Sequence, residues 1–325
     1  MGHRFGYAFA AFALSSLVPF NAWAQAWVPY KGEGSVSVLY QNLSVKDHFF
    51  GRGQRIDRGH IESDSLLVDV NYGITDRISV SFGVPFIRAQ YSGIAPHPTA
   101  QDDGRVHAGF QDVRFALRYN LTRGSLVITP FVGTNVPTHN YEYFAHASLG
   151  PRVRELDVGA YAGRLLSPML PNAFVQARYS YSFAKKIVGV SHDRSNLDLE
   201  FGYFVTPKVR VFTLGTGHKT HGGIDVPDAG WKALPIEQGP HHDRIGRIDL
   251  LDVGGGVQVA LTKSIDLFGS YMKTLAGRNT HALDRVLTVG TSWSFGRGLG
   301  ALKLSSDSAP WAGRDRKLAK CLCQK

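Results

Sequence analysis

From Leu66 to Phe86 the chain reads LLVDVNYGITDRISVSFGVPF. Leu66, Val68, Val70 and Tyr72 alternate with Leu67, Asp69, Asn71 and Gly73. After Ile74-Thr75-Asp76-Arg77, the residues Ile78, Val80, Phe82, Val84 and Phe86 alternate with Ser79, Ser81, Gly83 and Pro85. A period of two predicts two antiparallel strands joined by a tight turn, each with faces in different surroundings. Soluble sandwiches show alternation too. Here, however, the strands are long and the non-bulky face carries Ser, Gly, Asn and Asp. That combination predicts a barrel with hydrocarbon outside and water inside.

The same rhythm recurs along the chain. Strands are predicted at Ser35–Phe50, in the two halves of 66–86, and at Gly109–Leu121, Leu126–Thr138, Leu156–Leu166 and Ala173–Phe183. Five more follow at Leu197–Val205, Val209–Gly217, Leu251–Leu261, Ile265–Lys273 and Leu287–Phe295. Alternation is weak in the fifth strand, and the ninth has no clear parity. Short turns (74–77, 122–125, 167–172, 206–208, 262–264) alternate with longer loops (51–60, 93–106, 140–154, 188–196, 222–246, 277–284). The prediction is all-β: a transmembrane, antiparallel, up-and-down β-barrel of about twelve strands, with both ends on the turn side.

Alternation places eight charged residues on the inner face: Asp69, Asp112, Arg114, Arg118, Arg178, Asp198, Glu200 and Asp252. In a dry core such charges are strongly unfavourable; in a wet lumen they are not. They are the candidate lumen-lining, solute-binding residues. A salt-bridged interior that merely fills the barrel is the other reading, because twelve strands lie between barrels packed solid and barrels with open channels. Tyr72, Phe82, Phe86, Tyr119, Tyr179, Tyr181, Phe201, Tyr203, Trp293 and Phe295 fall near strand ends on the outer face, as interfacial girdles do.

Length and composition agree. The 325 residues suffice for one large barrel. After the N-terminus no apolar run is long enough for a helical span. Residues 1–24 read as a secretory signal peptide, with His3 and Arg4, an apolar run Tyr7–Phe20, and Ala22-Trp23-Ala24 before the cut. The barrel is assigned to 25–295, with a lead to Glu33 too short for a plug domain, and 296–325 to a basic, poorly ordered tail. The formal charge of +10 raises nucleic-acid binding, which export argues against. Basic loops facing an anionic membrane surface account for it. Cys321 and Cys323, at i and i+2, offer no disulfide framework.

Several motifs resemble a known family. Tyr72-Gly73-Ile74-Thr75-Asp76-Arg77, then Val84-Pro85-Phe86, then Gly109-Phe110-Gln111-Asp112 and Val136-Pro137-Thr138-His139 resemble the outer-membrane barrels associated with the meta-cleavage pathway of phenol degradation. Gln111 and His139 stand where that family has glycine, and the tail after Phe295 departs from its pattern. The resemblance implies a transporter of small hydrophobic or aromatic compounds.

Two chemical constellations were weighed against this. Every histidine after the signal segment falls in or beside a predicted loop, and His218, His221, His241 and His242 flank or sit in the longest one. No carboxylate or cysteine spacing supports a metal site there, so neither metal nor cofactor is expected. His146-Ala147-Ser148-Leu149-Gly150 is similar to the His-x-Ser-x-Gly arrangement of outer-membrane phospholipase A, but no Asn follows between Gly150 and Pro171 to orient the histidine. The expectation is a non-enzymatic channel of the bacterial outer membrane, passing small hydrophobic or aromatic molecules. A surface-interaction barrel with a filled lumen and a lipid-modifying enzyme are the alternatives. Expected partners are outer-membrane lipids, the barrel-assembly machinery and a small-molecule solute, without nucleic acid, for a monomer.

Overall fold

The computed structural model describes residues 26–49, 53–93, 97, 99–227 and 231–296. The predicted signal peptide (1–24) and the predicted tail beyond Gly296 lie outside them. The described chain forms twelve wall strands: β1 (Gly34–Phe49), β2 (Arg55–Gly73), β3 (Ile78–Ser92), β4 in two pieces (His107–Phe110 and Val113–Tyr119), β5 (Leu126–Val136) and β6 (Glu155–Leu165). Then come β7 (Ala173–Ala184), β8 (His192–Thr206), β9 (Val209–Gly222), β10 (Asp249–Ala260), β11 (Ile265–Arg278) and β12 (Thr280–Phe295). Each pairs antiparallel with its sequence neighbours. β12 returns to β1 in a register running from Gly34 opposite Phe295 to Phe49 opposite Thr280, which closes the barrel.

The alternation settles which side faces out. Leu66, Val68, Tyr72, Phe82, Phe86, Phe115, Leu199, Tyr179 and Trp293 are exposed on the outer wall, while Leu67, Ser79, Ser180 and Ser292 are buried inside. At the loop end the pattern inverts. There Lys46, Glu62, Arg88 and Arg285 are exposed outside, with ion pairs Lys46–Asp284 at 2.9 Å and Arg285–Glu62 at 3.8 Å. Inside, Leu43, Val45, Ile61, Ala89, Tyr91, Met272 and Val286 form an apolar cluster. The wall therefore rises past the apolar belt into water, where it buries hydrophobic surface inward as a soluble protein does.

Several predicted boundaries are corrected. Most of the predicted loop 51–60 belongs to the rising part of β2, and 277–284 is strand on both sides of Asn279 alone. Asn279 takes a φ of 48°, in the left-handed region that Asn tolerates. Its side-chain amide donates to Asp225 Oδ1 at 3.0 Å and to the Arg247 carbonyl at 3.1 Å. His60, His192 and His281, which fall in predicted loops, lie in strands. β4 is interrupted because Phe86 opposes Phe110 while Gly83 opposes Arg114, so three residues face two. This is a bulge at Pro85, which has no N–H to give the ladder. The Gln111 N–H bonds the Pro85 carbonyl at 3.0 Å instead.

Residues 26–33, ahead of β1, enter the mouth of the barrel. The Ala26 N–H donates to Gln176 Oε1 at 3.3 Å, and Thr129 Oγ1 donates to the Ala26 carbonyl at 2.6 Å. Trp27 meets Phe174 edge-on, with ring centres 6.4 Å apart. Gly163 makes room, since a Cβ there would lie 2.6 Å from Ala26 Cβ and 2.7 Å from the Trp27 ring.

Candidate functional site

Along the inner face, from Pro207 and Lys208 at the turn end to Glu155, Arg194 and His218 towards the loop end, the barrel encloses a cavity of about 380 Å³. Strand register assembles its charged wall. Arg178 on β7 and Asp198 on β8 are direct cross-strand partners and bridge at 2.9 Å. Asp69 on β2 and Arg114 on β4 approach to 3.9 Å across β3. Gly83 lies between them, and a Cβ there would come within 2.4 Å of Asp69 Oδ1. Arg118 donates to Asn71 Oδ1. Glu200 is 3.5 Å from Arg210 and accepts from Gln176 Nε2 at 2.7 Å. Opposed pairs of both signs thus line the wall.

Aromatic faces lie beside these cations. The Arg178 guanidinium is 5.2 Å from the Phe131 ring centre, and Arg210 lies 5.3 Å from Phe174 and 5.1 Å from Phe212. Arg118 is 6.0 Å from Tyr161. Such cation–π neighbours hold guanidinium planes flat against the wall. Asp69 Oδ2, Asp157 Oδ1 and Arg178 Nε are buried without a hydrogen-bond partner in the protein, leaving polar capacity in the wall.

Of the eight sequence candidates, Asp69, Asp112, Arg114, Arg118, Arg178, Asp198 and Glu200 line this cavity. Asp252 does not. It is buried in the wall, where it accepts a bond from Thr274 Oγ1 at 2.6 Å. The structure adds Glu155, Asp157, Arg194 and Arg210 to the lining. Arg194 and Glu155 bridge at 2.5 Å. Arg210 sits between Val209 and Val211, so alternation alone would have turned it inward. Phe212 and Leu214, on the same side, masked that signal. The bulge in β4 explains why Gln111 and Asp112, adjacent in sequence, both reach the lining.

Both ends of the cavity are narrowed. At the turn end stands Trp27. At the loop end the loop 139–153 folds part of itself into the barrel, with Tyr141, Ala145, His146, Ala147, Ser148 and Leu149 all buried. Tyr141 donates to Asp112 and packs with Ile87 and Leu149, while Ala147 joins the apolar cluster under the rim. The backbone N–H groups of His146 and Ala147 donate to Asp102 at 3.1 and 3.0 Å. The His-x-Ser-x-Gly stretch therefore sits inside the barrel rather than on the lipid face. Ser148 Oγ makes no hydrogen bond, so it has no contact with His146 of the kind a serine nucleophile needs.

A match among solved structures agrees with this geometry. An outer membrane channel from Pseudomonas putida F1 has a TM-score of 0.63 at 16% identity, over 84% of this chain and 98% of that one. The fold is that of an outer-membrane β-barrel. The translocator domain of the autotransporter NalP from Neisseria meningitidis matches at a TM-score of 0.46 and 13% identity, over 82% of this chain and 90% of that one. The KdgM porin matches at 0.43 and 9%, over 80% of this chain and 99% of that one. These two likenesses are too loose to carry an argument. No protein-family profile and no curated protein matches the chain.

Proposed function

We propose that the protein is a passive channel of the bacterial outer membrane for small molecules with an aromatic or apolar body and a polar or anionic group. One observation carries this reading: a closed barrel, apolar outside, encloses a cavity walled by paired charges and aromatic faces. Arginine–carboxylate pairs along a lumen wall can exchange partners with a passing solute at little net loss, because each charge keeps a counter-charge nearby. The rings of Phe131, Tyr161 and Trp27 line the same cavity and offer stacking surfaces. The fold shared with the Pseudomonas putida F1 outer membrane channel supports a channel-type barrel, and the resemblance of the motifs in 66–138 to barrels associated with phenol degradation suggests the solute class. The outer apolar belt implies lipid contact, and the terminal aromatic Phe295 suits recognition by the assembly machinery. The barrel closes on itself, so one chain suffices.

The inserted loop favours a second reading, a barrel with a filled lumen. Reconstitution separates the two. Liposomes carrying the protein are expected to swell in benzoate or phenol faster than in a disaccharide, and planar bilayers to show discrete conductance steps. No swelling in any solute and no conductance, with the folded protein inserted, would leave the filled barrel standing.

A further inference from the structure

Above the apolar belt, histidines from separate stretches of chain converge inside the rim. His48 near the end of β1 and His281 near the start of β12 are cross-strand partners at the closure of the barrel, with ring centres 3.9 Å apart. His146, on the inserted loop, lies 6.3 Å from His48 and 5.8 Å from His281, centre to centre. One ring nitrogen from each of the three falls within 4.8 Å of the others, and all three residues are buried. The barrel wall supplies two of these ligands and the inserted loop the third.

His146 is oriented for ligation. Its Nδ1 lies 3.2 Å from Asp102 Oδ2. An ionised carboxylate only accepts, so the proton is on Nδ1 and the lone pair on Nε2. That Nε2 is buried with no hydrogen-bond partner. Burial opposes ionisation of Asp102, but the bonds it receives from His146, His97 and the Ala147 N–H hold it well below the usual carboxylate range. Burial pushes the His146 imidazole down, against the pull of Asp102. Burial, followed by the neighbouring imidazoles, pushes His281 well down. Burial thus disfavours the protonated form of His146 and His281, and the neutral imidazole is the metal-binding form. A carboxylate holding the far nitrogen of a ligating histidine is the usual outer support of such sites. The adjacent group His97, His242 and Asp243 differs in pairing two imidazoles with a carboxylate, which lies 2.9 Å from His242 Nε2.

We propose that His48, His146 and His281 bind one divalent transition-metal ion of the zinc type, with Asp102 as the positioning carboxylate. Three imidazoles suit zinc, copper or nickel and disfavour calcium and magnesium, which take oxygen ligands. At zinc–nitrogen distances of about 2.0–2.1 Å the nitrogens would stand roughly 3.3 Å apart, so the rings close in by small side-chain rotations. The fourth position is open to water or an anion. The ion would staple the inserted loop to the seam between the first and last strands. The site needs only the fold, so it stands or falls separately from solute passage.

The test uses the untagged, detergent-purified protein, stripped with chelator. Isothermal titration with zinc is expected to give one ion per chain, and cobalt the visible absorption of a four-coordinate ion. Imidazole counting on the copper-loaded wild type by pulsed electron paramagnetic resonance is expected to return three rings, and this readout does not depend on any variant folding. His146→Gln and His281→Gln are each expected to abolish stoichiometric binding. Asp102→Asn should weaken it about 10- to 100-fold. His139→Gln, on the exposed part of the loop, should leave it unchanged. No zinc binding by the wild type at micromolar free ion, a six-coordinate cobalt spectrum, or full binding by both histidine variants would overturn the site.

Discussion

His192 shows how strongly one position can depend on its surroundings. It is fully buried at the start of β8, with Nδ1 3.3 Å from the Val190 carbonyl and Nε2 unpartnered. Burial, then the Arg194 guanidinium, pushes its imidazole from 6.5 down to about 4. The unfolded chain takes up a proton near pH 6.5 that the folded protein refuses until near pH 4. Its contribution is thus whole above pH 6.5 and is lost as pH falls through that window. The difference amounts to at most about 3 kcal/mol. Unfolding of the micellar protein should show wild type losing more stability than His192→Gln between neutral pH and the lower end of that window. Equal losses would mean that the imidazole is solvated in the folded state. At the same scale, alternation alone turned Asp69, Arg114, Arg178 and Asp198 to the inner face, because each side chain's face follows from a period of two, whereas Arg210 was missed. Gln111 needed more, since its place in the lining beside Asp112 depends on a bulge opposite Pro85.

Among elements, the loop that runs 139–153 between β5 and β6 has the largest effect on the interior. Its buried segment is held by the bond from Tyr141 to Asp112, by two backbone bonds to Asp102, and by packing of Ala147 and Leu149. Replacing 141–149 by a short Gly-Ser linker should raise single-channel conductance several-fold while the barrel still folds. Tyr141→Phe, which removes the bond to Asp112 and the one received from the Arg152 N–H, should mainly lengthen open times. Unchanged conductance in the deletion would place the constriction elsewhere, with Trp27 at the turn end as the next candidate. None of this was legible from alternation. Residues 140–154 are aperiodic and polar enough to read as an outer loop, and whether such a loop stands in water or folds inward depends on the apolar wall awaiting it. That wall comes from β1, β2, β3, β11 and β12 together.

At the scale of the molecule, one closed wall passes through two solvents. Its outer face is apolar along the belt and charged above it; its inner face is polar along the belt and apolar above. Height on the wall therefore decides what an outward substitution does. Leu199, in the middle of β8 and 48% exposed, faces hydrocarbon. Leu199→Arg should destabilise the inserted barrel by about 2–4 kcal/mol. Arg88→Leu, outward but near the rim, should change stability by less than about 0.5 kcal/mol. Reversible unfolding from lipid vesicles measures both. Equal effects would mean that the belt is not where the side chains place it.

By itself the sequence determined the number of strands, their order, the tight turns at one end, and the faces of Asp69, Arg114, Arg178 and Asp198. These are local consequences of a two-residue period bounded by turn residues, and neighbouring strands pair because short turns leave them no other partner. Only the tertiary structure decided which charges meet, since the approach of Asp69 to Arg114 across Gly83 depends on register between three strands. It also decided that Ala26 and Trp27 occupy the mouth, that the loop at 141–149 turns inward, and that His48, His146 and His281 gather at the rim. Those contacts join residues up to hundreds of positions apart, and no periodicity along a chain encodes a distance that exists only once the cylinder has closed.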